Sequence, residues 1–163
     1  STGEVMGIDK DFGMAFAKSQ IGSGSKIPTG GSVFVSVKDG DKDKILRPVS
    51  ELISLGFEIY ATDGTAEFFN KNNIKAEKIN KVLQGSPHIV EMISEKKISL
   101  VFNTTETPQA IKDSKSIRRS ALESETPYYT TVSGANAAVM AIKAIKNSEM
   151  TVKTIQSFGE SLN

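Results

Sequence analysis

Val33-Phe34-Val35-Ser36-Val37, then Asp43 to Leu55, then Phe57-Glu58-Ile59-Tyr60-Ala61: the reading of these three consecutive pieces decides the fold. The outer two are short, apolar and rich in β-branched or aromatic residues, as buried strands are. In the middle piece Ile45, Leu46, Val49, Leu52 and Ile53 recur at i, i+1, i+4, i+7 and i+8. That spacing gathers them on one helical face, and Gly56 closes the helix. Pro48 is awkward inside it. It is tolerable if the helix proper starts near Arg47, and otherwise costs roughly 3 kcal/mol. An irregular first turn is therefore expected. A strand, a helix and a second strand in this order call for parallel strands joined by a right-handed crossover.

The same rhythm continues toward the C-terminus. Thr65 to Asn72 reads as a short helix and Ala76 to Ile79 as a weak strand. Ser86-Pro87 reads as a helix start, with Ser as N-cap and Pro as first residue. Ile98-Ser99-Leu100-Val101-Phe102 is the clearest strand of all. A long helix from Pro108 to about Ser124 is expected to bury Ile111, Ile117, Ala121 and Leu122. Tyr128 to Val132 supplies the last strand, and Asn136 to Lys146 an Ala-rich helix. The expected architecture is a three-layer α/β domain of about five parallel strands. Upstream, Asp9 to Gln20 forms a short helix with Phe12, Ala15 and Phe16 on one side, weakened by Gly13. Ile21 to Gly31 then breaks regular structure with Gly, Ser and Pro and reads as a linker. The helix before it is either a fragment of a preceding unit or a native N-terminal arm.

Composition excludes several classes. With 163 residues the chain is long enough for one ordinary domain without a disulfide or metal staple. Lys+Arg numbers 20 against Asp+Glu 19, a formal net charge of +1, which argues against a protein living on nucleic-acid phosphates or an anionic membrane. Charged residues make up 24% and apolar ones 38%, the profile of a folded domain rather than a disordered chain. No apolar run approaches the ~20 residues that span a bilayer, and Ser1-Thr2-Gly3-Glu4 lacks the start of a secretory signal. Cys is 0, which removes disulfides, thiolate nucleophiles and Cys-ligated zinc together. A cytoplasmic setting is expected.

Open parallel sheets bind ligands at the carboxyl ends of their strands, near the point where strand order reverses. Those ends carry Ser36 to Lys42, Thr62-Asp63-Gly64-Thr65, Asn80-Lys81, Asn103-Thr104-Thr105 and Ser133-Gly134. Hydroxyls, amides and lysines dominate, which suits a small, polar, phosphorylated ligand. In Thr62-Asp63-Gly64-Thr65, Gly64 permits a tight turn and a close approach, and Thr65 begins a helix whose unpaired N–H groups favour an anion. An ordinary capped helix start would read the same way; Lys42 and Lys81 on neighbouring loops tilt the reading toward an anion. Asp63 is an objection unless its carboxylate turns away. Asn103-Thr104-Thr105 offers donors and acceptors to a ribose or base, or simply caps the next helix. Asp113 and Ser114 either line the pocket wall or, for Asp113, lie on a solvated face. Arg118 and Arg119 point about 100° apart on a helix and so cannot clamp one ligand together. His88 has no second His or obvious triad partner and reads as structural or capping. No Walker loop, GxGxxG or metal-binding carboxylate spacing is present.

Taken in order, Ser36-Val37-Lys38-Asp39-Gly40-Asp41-Lys42, Ala61-Thr62-Asp63-Gly64-Thr65-Ala66, Asn80-Lys81-Val82, Gly85-Ser86-Pro87-His88-Ile89, Asn103-Thr104-Thr105, Asp113-Ser114 and Ile117-Arg118-Arg119-Ser120-Ala121 are recognisable. They closely resemble the C-terminal allosteric domain of the bacterial carbamoyl-phosphate synthase large chain, a member of the methylglyoxal synthase-like group. The resemblance covers nearly the whole chain. It divides the chain into residues 1–31, the tail of a preceding ATP-binding region with a linker, and residues 32–163, the allosteric domain.

What the resemblance implies is regulation rather than catalysis. It implies UMP as inhibitor and IMP as activator in one overlapping pocket, with ornithine activating at the boundary with the catalytic portion. By motif, Lys42, Thr62, Gly64 and Thr65 would hold the phosphate. Ser36, Lys81, Asn103 and Thr105 would hold ribose and base, with Asp113 and Ser114 on the wall. Ornithine contacts would fall at Tyr128 and Thr130. Between them the familiar pattern has an acidic residue, and here stands Tyr129, which suits an ammonium poorly. No cofactor is expected in this fragment; the parent enzyme, a glutamine-hydrolysing ligase of pyrimidine and arginine biosynthesis, would use ATP with Mg or Mn. Its partners would be the rest of the large chain and a small glutaminase subunit, in an oligomer, without nucleic acid or membrane.

Other readings remain. Methylglyoxal synthase shares the phosphate loop but needs a carboxylate base in a Gly-Gly-Asp segment, where this chain has Val82-Leu83-Gln84-Gly85. The IMP cyclohydrolase domain shares the fold but matches the C-terminal half poorly. A plain interaction module with an empty cleft needs no ligand.

Overall fold

The computed structural model describes residues 4–81, 84–104 and 108–147. Its elements in chain order are α1 (Phe12–Gly22), β1 (Ser32–Ser36), α2 (Lys42–Ser54), β2 (Glu58–Ala61), α3 (Asp63–Lys71), β3 (Glu77–Lys78), α4 (Ile89–Ser94), β4 (Leu100–Asn103), α5 (Pro108–Glu123), β5 (Tyr128–Tyr129) and α6 (Val132–Asn147). The five strands form one sheet in the order β3-β2-β1-β4-β5, and every pairing is parallel. Chain order therefore runs outward from β1 to one edge, then jumps across to β4 and runs to the other. The reversal lies between β1 and β4, where Val33 pairs with Leu100 and Ser36 with Asn103.

Alternation along β1 sends Val33 and Val35 to one face and Phe34 to the other. Val33 and Val35 pack with Ile45, Val49 and Leu52 of α2, Phe69 of α3, and Ala135, Ala138, Val139 and Ile142 of α6. Phe34 packs with Val101, with Ile89 and Ile93 of α4, and with Ile117 and Ala121 of α5. The result is the expected three-layer αβα arrangement. Each fully buried aliphatic or aromatic side chain contributes about 1.5–3 kcal/mol, and Phe34, Phe69 and Phe102 are wholly buried.

Several elements depart from the sequence reading. The helix containing Pro48 begins at Lys42, well before Arg47, and keeps the proline inside. The irregular turn precedes it, as a 3-10 turn over Asp39–Asp41. Pro48 is buried, so packing offsets the hydrogen bond that its missing N–H forgoes. Ile53 and Ile111 are partly exposed and Leu122 is 80% exposed, so α5 buries Ile117 and Ala121 alone of the four residues expected. In α4 the N-cap is His88 rather than Ser86. Its side chain accepts from the Glu91 N–H while Glu91 reaches back to the His88 N–H, a reciprocal cap that starts the helix at Ile89. The Ser86 hydroxyl joins by donating to Glu91 Oε2 at 2.8 Å. The last strand is cut short because the Thr131 hydroxyl accepts from the Gly134 N–H at 3.0 Å and opens α6 at Val132 rather than Asn136. In α1 Phe12 and Phe16 do share a side, their rings stacked 6.2 Å apart, while the buried face is Gly13, Met14 and Ala17. Gly13 carries the reason: a Cβ there would stand 2.6 Å from the Met140 carbonyl oxygen of α6. The two helices meet at the bare glycine, and Phe12 is left 57% exposed.

Candidate functional site

The crevice over the carboxyl ends of β2, β1 and β4 gathers most of the polar residues singled out from the sequence. It begins at α3. Thr62 is its N-cap, in extended conformation and with no side-chain capping bond to the helix backbone. The N–H groups of Asp63 and Gly64, the first two residues of the helix, have no partner within it. Lys42, the first residue of α2 rather than a loop residue, reaches across to them. A Cβ on Gly64 would lie only 3.6 Å from its Nζ, and the ammonium also sits 6.0 Å from the centre of the Phe68 ring. The lysine ammonium, paired with Asp39, thus stands beside the positive end of a helix. An anion between them would be attracted by both.

Of the two neighbouring acids, one pairs with the lysine itself and the other is engaged at the sheet edge. Asp39 Oδ1 lies 2.7 Å from Lys42 Nζ on the solvent side, and this hydrogen bond holds the Asp39 carboxyl below the usual carboxylate range. Asp63, the objection raised by the sequence, pairs through Oδ1 with Lys78 at the β3 edge. Its Oδ2 accepts from Gln84 Nε2 at 3.4 Å, and Gln84 Oε1 accepts from the Lys81 backbone N–H at 2.8 Å. Asp63 therefore faces away from Lys42, and the backbone of Lys81 is tied to the first turn of α3. Lys42 opens the helix that follows β1, and Lys81 stands a short way after β3.

From this anion seat a line of hydroxyls runs inward. Thr62 Oγ1 lies 3.3 Å from Ser36 Oγ and 3.4 Å from Thr65 Oγ1. Thr65 is 2% exposed, and its hydroxyl oxygen accepts from the Val37 N–H at 3.3 Å. Thr104, which the sequence reading did not rank among the site residues, anchors the other side of β1. Its Oγ1 accepts from the Lys38 N–H at 3.1 Å while its own N–H donates to the Ser36 carbonyl at 2.9 Å. These two threonines hold open the strand end from which Val37 and Lys38 depart. Their signal in the sequence was only that hydroxyls follow buried strands.

At the β4 end Asn103 is 3% exposed. Its Nδ2 lies 2.9 Å from Ser114 Oγ of α5 and 2.8 Å from the Tyr128 hydroxyl of β5. A buried amide must be satisfied, and these two oxygens do so. Asp113 lies beside Ser114 in α5, half-buried. Tyr128 thus faces inward, and burial pushes its phenol above the ordinary value against the opposing pull of the Asn103 hydrogen bond. Thr130, two residues on, is exposed. Tyr129 points to the other face, where its hydroxyl donates to Gln20 Oε1 at 3.1 Å and its ring meets Phe16 and Phe102. Burial pushes its phenol up to about 12. Thr105, also expected in the site, lies outside the described residues, as does part of the Val82-Leu83-Gln84-Gly85 stretch. Arg118 and Arg119 are exposed on α5.

Strand spacing sets the size of the crevice. From β2 through β1 to β4 is two spacings, about 10 Å. One end offers a cation, a helix terminus and hydroxyls; the other offers an amide and two more hydroxyls. A separate cavity of about 840 Å³ lies between α1, α2 and α6, lined by residues such as Asp9, Lys44, Arg47 and Lys143, and contains none of the predicted site residues. Among the described residues no cluster of three or more His, Asp or Glu is placed to hold a metal ion. Nor is any helix among them long and apolar enough to cross a membrane.

Comparison with known proteins agrees on the family. The model of the MGS-like domain matches residues 44–130. The carbamoyl phosphate synthase large chain of Brucella suis biovar 1 (strain 1330) is 49% identical over 161 residues, which is 99% of this chain and 14% of that protein. The large chain of the same name from Methanobrevibacter smithii is 50% identical over 156 residues, 95% of this chain and again 14% of the relative. The chain thus spans about a seventh of the length of these relatives. Among solved structures, methylglyoxal synthase from Elizabethkingia anophelis NUHP1 superposes with a TM-score of 0.55, covering 71% of this chain and 80% of that one. At 17% identity that likeness speaks to the fold alone.

Proposed function

The chain belongs to the MGS-like domain family, and from that premise we propose that it is the regulatory portion of a carbamoyl phosphate synthase large chain, binding nucleoside monophosphates in the crevice over β2, β1 and β4. The observation that carries this reading is the placement of the Lys42 ammonium over Gly64 at the start of α3. A phosphate seated there receives the ammonium, the N–H groups of the first helical turn and the Thr62 and Thr65 hydroxyls. The ribose and base extend toward Ser36, Asn103 and Ser114 along about 10 Å of strand ends, a span that fits one nucleotide. Lys81 approaches from the β3 side, and Thr105 and Asp113 complete the set of contacts the family resemblance implies.

Binding regulates only if it is unequal between two arrangements of the whole enzyme. UMP would favour the less active arrangement and IMP the more active one, while competing for one seat. Ornithine would be contacted through Tyr128 and Thr130, with Tyr129 standing where the family pattern has an acidic residue. The ATP, divalent metal and glutaminase partner of such an enzyme are assigned to parts of the assembly beyond this chain. Residues 1–31 are proposed as the tail of the ATP-binding region and its linker. Against a phosphate-eliminating lyase stands the engagement of the two carboxylates nearest the anion seat, Asp39 with Lys42 and Asp63 with Lys78. Neither is placed as a free base.

Calorimetric titration of this chain with UMP, IMP, ornithine, uridine and inorganic phosphate tests the reading. Saturable, mutually competitive binding of UMP and IMP is expected, with Kd between about 1 mM and 1 μM, or −4 to −8 kcal/mol. Absence of heat with either nucleotide, or turnover of dihydroxyacetone phosphate with release of phosphate, overturns it.

A further inference from the structure

Asn103 Nδ2 donates to two hydroxyl oxygens at the β4 end of the crevice, to Ser114 Oγ at 2.9 Å and to Tyr128 at 2.8 Å. Both N–H groups of the amide are spent on this pair, which sets the way the amide is turned. That leaves Asn103 Oδ1 as the amide atom for which the described residues supply no hydrogen bond.

We propose that Tyr128 is a positioning residue, which with Ser114 locks the Asn103 amide so that its carbonyl oxygen faces the crevice as an obligate hydrogen-bond acceptor. The inference rests on the nucleotide-binding reading and adds a rule of selectivity to it. A ligand must present a hydrogen-bond donor to this point, either a ribose hydroxyl or the imide N–H of a uracil or hypoxanthine ring. A ring nitrogen with a lone pair in that place, as in cytosine or adenine, meets Oδ1 with repulsion. Tyr128 has been assigned here by its hydroxyl, which points inward to Asn103.

The test is a set of titrations on the 163-residue chain. Wild-type protein is compared with Tyr128→Phe, Ser114→Ala, Asn103→Ala and the double variant Asn103→Ala/Tyr128→Phe. The ligands are UMP, CMP, 2′-deoxy-UMP and inorganic phosphate, and thermal unfolding is followed in parallel. Removing the Tyr128 hydroxyl frees the amide to turn, and UMP affinity is expected to fall about fivefold to tenfold while affinity for inorganic phosphate stays unchanged. In the Asn103→Ala background the same substitution is expected to have no further effect on UMP, since its target is gone. If the donor is the imide, wild type prefers UMP over CMP and Tyr128→Phe narrows that preference. If the donor is the ribose, the preference of UMP over 2′-deoxy-UMP narrows instead. Equal loss for UMP and phosphate, or full additivity of Asn103→Ala and Tyr128→Phe, overturns the positioning role. A wild-type chain that binds no nucleotide overturns both this inference and the reading beneath it, whereas wild-type binding with an unaffected Tyr128→Phe overturns this one alone. Ser114→Ala supplies a second route should Tyr128→Phe fail to fold.

Discussion

Gly64→Ala separates the stability of this fold from its proposed use. Gly64 is the second residue of α3, and its backbone is helical, so alanine meets no conformational strain there. The new Cβ would stand 3.6 Å from Lys42 Nζ, an ordinary contact that displaces nothing. Replacing a helical glycine by alanine typically stabilises by about 0.5–1 kcal/mol, chiefly by reducing the freedom of the unfolded chain. For a domain of this size the melting temperature should rise by about 1–4 °C. The effect on an anion is opposite. A phosphate oxygen bonded to both the ammonium and the Gly64 N–H must come within about 2.9 Å of each. A methyl 3.6 Å from the ammonium narrows the room left for that oxygen. Loss of one hydrogen bond to a charged group costs about 1.5–3 kcal/mol, or about tenfold to a hundredfold in Kd. Calorimetry with UMP at fixed ionic strength, together with a thermal melt, reads both quantities on one sample. A more stable protein that binds UMP as tightly as wild type would refute the placement of the phosphate between Lys42 and Gly64.

Three other outcomes follow from the same structure. Asp39 competes with any anion for Lys42, so Asp39→Asn is expected to tighten UMP and inorganic phosphate by a few-fold; weakened binding would show that the carboxylate orients the lysine instead. Phe34 is wholly buried between β1, α4 and α5, and Phe34→Ala is expected to cost about 3–5 kcal/mol in urea unfolding, while a loss under 1 kcal/mol would mean that this face repacks freely. The three tyrosines all have phenols raised above their ordinary value, each chiefly by burial, Tyr129 to about 12. A group whose folded pKa is raised contributes stability that is intact below its unfolded value, near 10, and lost as the pH climbs through the folded one. Unfolding free energy should therefore decline between about pH 10 and 12, with tyrosinate absorbance appearing later than in a short peptide. Ionisation of all three near 10 with the fold intact would contradict the burial.

The alternation of strands and helices was legible because each element carries its own period. Val33 to Val37 and Ile98 to Phe102 announce buried strands by composition, and Ile45, Val49 and Leu52 announce a helix by spacing. The anion seat was legible for a related reason: Gly64 and its flanking threonines lie within one turn, and a helix terminus is a local feature. Boundaries were less so. Pro48 stays inside α2 because it is buried, and His88 displaces Ser86 as a cap because Glu91 answers it across one turn. The exposure of Ile111 and Leu122 was hidden because a helical stripe says which residues share a face, not which of them a neighbour will cover.

The sequence by itself determined the layers, the parallel sheet and the chemistry of the strand ends, all of which depend on residues close together in the chain. Tertiary structure alone decided that the sheet reverses between β1 and β4, which sets Ser36 beside Asn103. It also brought Lys42 onto Gly64, turned Asp63 toward Lys78, and aimed Tyr128 at Asn103 while Tyr129 faces α1. Each of these joins residues on different elements. The direction of a side chain across such a gap is set by what packs and bonds around it, and no local pattern records that.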